Sequence, residues 1–202
     1  MTIVLKKIRA RCARLWRRAV CVFFGLDPWH AGLPSDRKYP ADIVTHLNRR
    51  PTNMRATAAE IGCGLGDISG RIAYNAVDCY DRDRRVLRAA KLLNLLAKPS
   101  NISFQVLDFP GTMPQGYYDV LILVNWIHTV PPDALKTAFN ILFEKHLKPG
   151  GELIFDTVSD AGYRYHHEAP RLAAGLNAVV VKLGRYDRGR DVFSLHKLPF
   201  PH

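Results

Sequence analysis

The sequence has few of the residues that mark several common classes of site. It contains only four cysteines, at positions 12, 21, 63 and 79, and none of them form a CxxC pair. No histidine spacing completes a zinc-binding pattern either. We therefore interpret the cysteines as reduced, mostly buried thiols, which is typical of a cytosolic protein.

Acidic residues are missing from the N-terminal stretch, and so are long apolar runs. The first acid is Asp27, and much of the net charge of +11 comes from seven basic residues within the first 18 positions. The longest apolar run in this stretch, AVCVFFGL, is too short to cross a bilayer. No small-residue cleavage site follows it, so we do not expect a signal peptide.

Helical periodicity is present over residues 3–24. One stripe at i, i+3, i+4 spacing is apolar, and the basic residues lie opposite it. The stripe consists of Val4, Leu5, Ile8, Cys12, Leu15, Trp16, Ala19, Val20 and Phe23. Such a basic amphipathic helix is compatible with packing on the domain, with contact to a membrane surface or another anionic partner, and with organelle targeting, although serine is absent.

The following stretch predicts a loop and a short helix. Residues 25–40 are rich in glycine and proline, and the helix falls within ADIVTHLNRR, before Pro51. Fifty residues are too few to bury a core alone. We therefore predict an N-terminal cap over residues 1–50 and one larger domain over residues 51–202.

Strands and helices alternate from residue 56 onward. The predicted strands are TAAEI, AVDCYD, ISFQVLD, YDVLILVNW and GELIFDTV, and the predicted helices between them are DISGRIAY, RDRRVLRAAKLLNLLA and PDALKTAFNILFEKHL. The run YDVLILVNW is apolar throughout, as a parallel strand buried on both faces requires. Two more strands flank DRGR, which indicates a hairpin. The pattern predicts an open α/β sheet, mostly parallel, with an antiparallel pair at its C-terminal end.

The first strand ends in a glycine-rich turn, EIGCGLGD. Ligands in open α/β sheets bind beyond the carboxyl ends of the strands, so this turn is a candidate site. A dinucleotide fingerprint would place its third glycine at position 67, where this chain has Asp67. A carboxylate there would repel a phosphate at the helix start, which favours a ligand of positive charge without a diphosphate. We expect Asp67 to cap the helix that follows.

This turn resembles motif I, E-x-G-x-G-x-G, of the class I S-adenosylmethionine (SAM)-dependent methyltransferases. The resemblance continues in CYDRD, LDF, YYDVLILVNWIH and LKPGG, each at or beside a strand end. It covers residues 56–156 closely, and extends to residue 202 by the order of elements. It implies a Rossmann-like, doubly wound, seven-stranded sheet with an N-terminal helical cap, and SAM as the cofactor.

The resemblance also implies which residues contact SAM. Asp81 would bind the ribose hydroxyls, Asp108 and Phe109 the adenine amine and ring, and Asn125 and Trp126 would line the side nearest the sulfonium. The glycine turn would surround the methionine part. The full set is Glu60, Gly62, Cys63, Gly64, Gly66, Asp81, Arg82, Asp108, Phe109, Asn125 and Trp126.

Methyl transfer is an in-line displacement that depends mainly on positioning, with a base where the acceptor is a hydroxyl. Three histidines are candidates for that base: His128 in NWIH, His167 in YRYHHE and His30 in DPWH. Asp156 in the fifth strand and Asp160 after it are acids available near this mouth, but no paired acid–asparagine arrangement appears, so we expect no metal.

The stretch NWIH also bears on the acceptor. Trp126 and Ile127 stand where amino-methylating nucleic-acid enzymes carry two prolines, which disfavours an adenine or glutamine amine. DPWH, YPADIVTHLN and VNWIH together resemble bacterial methyltransferases associated with surface-polysaccharide gene clusters. We therefore expect a cytoplasmic enzyme, peripheral to the membrane, that methylates a hydroxyl or carboxyl of a small molecule or glycan. The alternatives are an RNA or protein methyltransferase that contacts its partner through the basic helix, and a non-catalytic SAM-binding protein.

Overall fold

A computed structural model describes residues 3–95 and 101–199, with the side chains of residues 3–7 and 9 excepted. The α-helices of this described part are α1 (Ile3–Phe23), α2 (Lys38–Asn48), α3 (Arg84–Leu95), α4 (Pro132–Ile141) and α5 (Ala169–Ala173). Its strands are β1 (Thr57–Ile61), β2 (Ala76–Asp81), β3 (Ile102–Val106), β4 (Tyr118–Leu123), β5 (Leu147–Val158), β6 (Ala178–Tyr186) and β7 (Arg190–Lys197).

The strands form one seven-stranded sheet in the order β3-β2-β1-β4-β5-β7-β6. Strands β1 to β5 are parallel, and β7 runs antiparallel between β5 and β6. This confirms the predicted Rossmann-like α/β sheet with an antiparallel C-terminal pair. The order of strands reverses between β1 and β4, which is where a doubly wound sheet opens a crevice for ligands.

Helices cover both faces of the sheet and bury its central strands. On one face, Leu135 and Phe139 of α4 pack against β4 and β5. On the other face, Ile43 and Leu47 of α2 and Leu87 of α3 pack in one cluster with β1, β2 and β4. Helix α2, within the first 50 residues, thus shares the core of the sheet.

Helix α1 contacts the domain through only part of the apolar stripe. Its buried side chains are Arg17, Val20 and Cys21, and the last two pack against the α3 side of the molecule. Ile8, Leu15, Trp16 and Phe23 of the stripe are 53%, 60%, 44% and 82% exposed. The helix thus packs on the domain through its C-terminal half, with Val20 as the buried member of the stripe, while these four stripe residues remain exposed. Within the described residues, no helix has both the length and the apolarity that a bilayer crossing requires.

The predicted helix over DISGRIAY is wrong as well, since only a 3-10 turn forms there, at Ser69–Arg71. Side chains from elsewhere bind the backbone donors that a helix would use. The Glu60 carboxylate accepts the Ser69 N–H at 2.9 Å, and the Asn48 side-chain oxygen accepts the Ala73 N–H at 2.7 Å. Gly70 adds a low intrinsic preference for a helix. Asp67 therefore has no α-helix to cap.

Candidate active site

A large cleft opens at the carboxyl ends of β1, β2 and β4. Its volume is about 1360 Å³. The N-terminal segment 27–40 and the β6–β7 turn also contribute to its lining. Pockets for a single drug-sized ligand measure about 300–1,000 Å³. This cleft therefore has room for two ligands, such as a cofactor and an acceptor.

The glycine turn that follows β1 has a left-handed backbone at each of its glycines. The φ angles are 72° at Gly62, 55° at Gly64 and 79° at Gly66. A Cβ at Gly62 would overlap the indole of Trp126, whose Nε1 donates a hydrogen bond to the Ile61 carbonyl at 2.6 Å. Gly62 and Gly64 line the cleft, whereas Gly66 packs against the Asn94 side chain instead. The turn thus brings bare backbone to the cleft.

Two carboxylates stand at the ends of the first two strands. Asp81 accepts the Gly64 N–H at 3.1 Å and the Asp83 N–H at 3.0 Å, one on each oxygen. Each oxygen keeps a second acceptor position, and Asp81 lines the cleft. Glu60 is buried, and burial raises its pKa to about 8.

The other side of the cleft carries aromatic rings and a strained turn. Phe109 and Trp126 meet edge to face, with ring centroids 5.4 Å apart. Asn125 has a φ of 79°, which is uncommon for a residue other than glycine, and its N–H donates to Asp156 Oδ1 at 2.8 Å. Asp108 is exposed and lines the same region.

The comparisons with known proteins agree with this geometry. Residues 58–151 match the model of a family described as "Methyltransferase domain". Nodulation protein S of Rhizobium tropici is 26% identical over 180 residues, which covers 82% of this chain and 70% of that protein. An Arabidopsis thaliana protein named "Probable thiol methyltransferase 2" is 28% identical over 137 residues, and this chain spans 57% of its length.

Among solved structures, the N-methyltransferase NodS of Bradyrhizobium japonicum in complex with S-adenosyl-L-homocysteine (SAH) shares the fold, with a TM-score of 0.66 at 20% identity. The similarity covers 91% of this chain and 98% of NodS. Residues 58–151 therefore form a methyltransferase domain, and the chain has the fold of the class I SAM-dependent methyltransferases. SAM is its methyl donor, as the motif resemblance implied.

The residues of the methyltransferase fit that cofactor. The turn at Gly62 and Gly64 leaves backbone unshielded in the cleft, and Asp81 keeps free acceptor positions for adjacent hydroxyls. All of the predicted cofactor residues except Gly66 line the cleft. Cys63 is buried, and its contact with Cys79, together with burial, raises the pKa of its thiol, which disfavours a nucleophilic role.

The three candidate histidines do not come together. His30 and His128 line the cleft, whereas His167 lies in a separate small cavity beside α4. His167 is buried, and its Nε2 pairs with the Ile127 carbonyl at 3.0 Å. Burial lowers its pKa. The structure thus keeps His167 outside the cleft, where it supports the loop that carries His128.

His128 has the properties of a neutral base. Burial, with the positive charge of Arg190 next, lowers its pKa to about 4. Its Nδ1 is buried and has no hydrogen-bond partner among the described residues. The Tyr163 ring lies against it, with centroids 4.2 Å apart. The imidazole is therefore uncharged at neutral pH, as a proton acceptor must be, and its lowered pKa makes it a weak base.

The N-terminal segment covers the glycine turn. The Arg17 guanidinium binds both oxygens of Asp67, at 2.7 and 3.0 Å, and also donates to the His30 carbonyl at 2.8 Å. His30 is buried, stacks on Trp29 at 3.6 Å, and lies close to Gly64. Asp67, predicted to be a helix cap, thus attaches α1 to the cofactor turn.

The cleft lining also includes residues that no sequence motif predicted, among them Arg37, Tyr39, Tyr163 and Arg190. Arg190 is buried and forms an ion pair with Asp156. Because Asp156 also holds Asn125, this pair supports the strained turn after β4. The antiparallel register of β5 and β7 brings Arg190 next to Asp156, and no local sequence motif predicts this contact.

Outside the cleft, His46, Glu152 and His196 place ligand atoms within 4.8 Å of one another. Glu152 lies at the start of the buried part of β5, and it also binds Arg50 and Ser194. Burial alone would raise the pKa of Glu152, but its hydrogen bonds and the charges of His46 and Arg50 lower it to about 2. The carboxylate is thus saturated by protein partners, and the expected absence of a metal stays a prediction.

Proposed function

We propose that the methyltransferase methylates a hydroxyl or carboxyl oxygen of a small molecule or glycan. The observation that carries this proposal is the neutral, unpartnered His128 at the mouth of a cleft with room for a second ligand. A hydroxyl needs to lose its proton as it attacks, and a neutral imidazole can take it. A carboxylate acceptor needs no base at all.

In this mechanism the chain positions the reactants and moves one proton. When bound, SAM supplies a methyl group that an oxygen lone pair can attack, and its sulfur keeps the electron pair of the broken C–S bond, which leaves SAH. Asp81 holds the ribose, and the Trp126 ring fixes the glycine turn. His128 accepts the hydroxyl proton and releases it to water. The catalytic contribution is therefore mainly orientation, with one acid–base step.

Calorimetry with SAH tests the cofactor assignments. We expect Asp81→Ala to weaken SAH binding at least about tenfold, since two hydrogen bonds to a charged group are lost. Asp133→Ala, at an exposed carboxylate on α4, is the matched control and should bind SAH like the wild type. Equal affinity of Asp81→Ala and the wild type would contradict the ribose assignment.

Transfer from labelled SAM into a lysate of the source cell tests the acceptor class. We expect the label in a small-molecule or lipid–glycan fraction, in a bond with the stability of an ether or ester. Label in RNA or protein would contradict the proposal. His128→Gln should slow transfer to a hydroxyl while it leaves SAH affinity unchanged, whereas unchanged transfer would exclude His128 as the base.

Amine methylation is a second candidate, favoured by the likeness to nodulation protein S and to the N-methyltransferase NodS. A neutral His128 would serve it equally, because an ammonium must lose a proton before it can attack. The chemical form of the labelled product separates the two. A methyl ester is hydrolysed by mild base, whereas a methyl ether and an N-methyl amine both survive it, and only the amine is protonated and retained on a cation exchanger.

We also propose that the enzyme is cytoplasmic and contacts an anionic membrane surface through α1. Leu15 and Phe23 of the stripe are exposed, and so are Arg11, Arg14 and Arg18 on the same helix. Apolar insertion and attraction of arginine to anionic lipid reinforce each other in such helices. This orientation would bring the cleft near lipid-linked acceptors.

Vesicle sedimentation tests this contact. Full-length protein should bind vesicles that contain phosphatidylglycerol more strongly than neutral phosphatidylcholine vesicles. The double variant Leu15→Ser/Phe23→Ser should lose most of that binding, whereas Val179→Ser, at an exposed apolar position on β6, should retain it. Equal binding by the double variant and the wild type would contradict the membrane proposal.

A further inference from the structure

One side of the cleft is formed by alternating guanidinium groups and aromatic rings, which we call the acceptor wall. It consists of Arg37, Tyr39, Arg190, Tyr163 and Arg188. Arg37 donates to the Tyr39 hydroxyl at 3.0 Å, and the Arg190 guanidinium lies 5.1 Å from the centroid of the Tyr39 ring. Arg190 reaches the Tyr163 hydroxyl at 3.4 Å, and Arg188 lies 6.0 Å from the Tyr163 ring.

The acceptor wall leads directly to the candidate base. Tyr163 packs against His128, so a continuous chain of contacts joins Arg37 to His128. One ligand in this cleft could therefore contact Arg37 with one group and His128 with another. This is the half of the cleft that SAM, held at the glycine turn and Asp81, leaves free.

Charge is separated between the two halves of the cleft. The cofactor half contains mostly charged acids, namely Asp27, Asp67, Asp81, Asp83 and Asp108, with Arg17 and Arg82 as its cations. The acceptor half contains mostly cations, namely Arg37, Lys38, Arg185, Arg188 and Arg190, with Asp187 as its acid. Opposite potentials within one cleft favour a cationic ligand at one end and an anionic ligand at the other.

The cations of the acceptor half are unequally neutralised. Asp156 neutralises the buried Arg190, and Asp160 lies 3.7 Å from Arg188. Within the described part of the chain, neither Arg37 nor Lys38 has a carboxylate within 4.0 Å. Arg37 is half-buried, so a guanidinium with no counter-charge stands beside a second one.

We propose that the methyl acceptor carries a carboxylate or phosphate group, and that Arg37, with the adjacent Lys38, binds it. An anion would supply the missing counter-charge, and a guanidinium binds carboxylate and phosphate through paired N–H donors. The tyrosine rings of the acceptor wall would pack against the neutral part of the acceptor. This inference rests on the proposed function, since it concerns the second ligand of the same cleft.

Calorimetry on the SAH-saturated protein tests the anion site at constant ionic strength. The probes are inorganic phosphate and acetate, with glycerol as the uncharged control. We expect saturable binding of at least one of the two anions and none of glycerol. Arg37→Gln should weaken that binding by about tenfold or more, because a charge-assisted contact is lost. Arg49→Gln removes an exposed cation just after α2, outside the cleft lining, and should not.

The outcomes separate this inference from the proposed function. SAH binding by Arg37→Gln shows that the variant is folded. Absence of saturable anion binding, or equal anion binding by Arg37→Gln and the wild type, would overturn the anionic acceptor while SAM-dependent transfer stands. Tighter binding of phosphate than of acetate would indicate a phosphate group on the acceptor, and the reverse order would indicate a carboxylate. Titration with glycerol 3-phosphate and with phosphatidylglycerol vesicles, on the Leu15→Ser/Phe23→Ser background, then distinguishes a soluble source from a lipid headgroup.

Discussion

Gly62 combines a left-handed backbone with a contact that leaves no room for a side chain. Its φ is 72°, and a Cβ would overlap the Trp126 indole. We expect Gly62→Ala to lower the free energy of unfolding by about 2–4 kcal/mol, from backbone strain and overpacking together. It should also abolish SAH binding, because Trp126 and the turn must move.

Gly175→Ala is the matched control for that experiment. Gly175 has a φ of 79°, but nothing lies within 4 Å of its added Cβ. It therefore shares the strain and lacks the overlap, so we expect a loss of about 1 kcal/mol and normal SAH binding. Urea denaturation and calorimetry measure the two effects. Equal losses in both variants would show that Trp126 does not constrain Gly62.

Glu60 makes stability depend on pH near neutrality. Its pKa in the folded protein is raised to about 8 by burial, above its ordinary value of 4.5. A raised pKa contributes stability below the ordinary value, and that contribution is lost as pH rises through the folded value. Relative to Glu60→Gln, the wild type should therefore lose stability between pH 4.5 and 8, by up to roughly 5 kcal/mol. Urea unfolding of both proteins across this range measures it, and parallel curves would contradict it.

Single residues were predictable where a strand end defined them. Asp81 and Asp108 could be placed because parallel strands end at one edge of the sheet, whatever their sequence separation. The partners of Asp67 and Asp156 could not be. Arg17 lies 50 positions from Asp67, and Arg190 meets Asp156 only through the register of an antiparallel pair. Such pairings depend on tertiary placement, which local patterns do not encode.

At the scale of elements, one ion pair attaches α1 to the cofactor turn. The Arg17 and Asp67 side chains are only 10% and 21% exposed. Arg17→Gln leaves a largely buried carboxylate without its partner, so we expect a loss of about 2–3 kcal/mol. Hydrogen exchange over residues 10–24 should also become faster, since α1 packs on the domain mainly through Arg17, Val20 and Cys21.

Arg14→Gln provides the comparison on the same helix. Arg14 pairs with Asp36, but the two side chains are well exposed, so its loss should cost less than about 1 kcal/mol. Urea denaturation and mass-spectrometric exchange apply to both variants. If Arg14→Gln and Arg17→Gln change exchange equally, the Arg17–Asp67 pair does not hold α1 in place.

The elements that the sequence predicted well are those with strong periodic signals. The apolar run of β4 and the stripe of α3 determine their own structure, because burying them requires one geometry. The segment after the glycine turn was predicted to be a helix but forms none, because Glu60 and Asn48 accept hydrogen bonds from backbone N–H groups that a helix would use. Strand β5 begins at Leu147, four residues before the predicted strand, because Leu147 already pairs with Tyr118. In both cases a long-range hydrogen bond overrides local propensity.

At the scale of the whole molecule, charge and apolar surface are arranged around one cleft. Acids surround the cofactor half, cations surround the acceptor half, and α1 exposes an apolar stripe beside arginines. The net charge of +11 is therefore not spread evenly. The positive potential of these cations would attract both an anionic acceptor and an anionic membrane surface. It would thereby raise the local concentration of the acceptor beside the bound methyl donor.

The free energy of unfolding should decrease in acid because Glu152 becomes protonated. This carboxylate joins α2, β5 and β7 through His46, Arg50 and Ser194, and its pKa is lowered from 4.5 to about 2. A depressed pKa contributes stability above the ordinary value, and that contribution is lost as pH falls through the folded value. The wild type should thus lose about 3 kcal/mol between pH 4.5 and 2 from this group.

Glu152→Gln isolates that contribution. The variant should be about 3 kcal/mol less stable than the wild type at neutral pH, since Arg50 loses its buried counter-charge, and the difference should shrink as pH falls toward 2. Because Glu60 acts in the opposite direction between pH 4.5 and 8, the pair predicts greatest stability near pH 4.5 from these two groups. Urea denaturation midpoints of the wild type, Glu60→Gln and Glu152→Gln across pH 2–8 measure the contributions of Glu60 and Glu152 separately. A constant difference between Glu152→Gln and the wild type would show that Glu152 keeps its ordinary pKa in the folded protein.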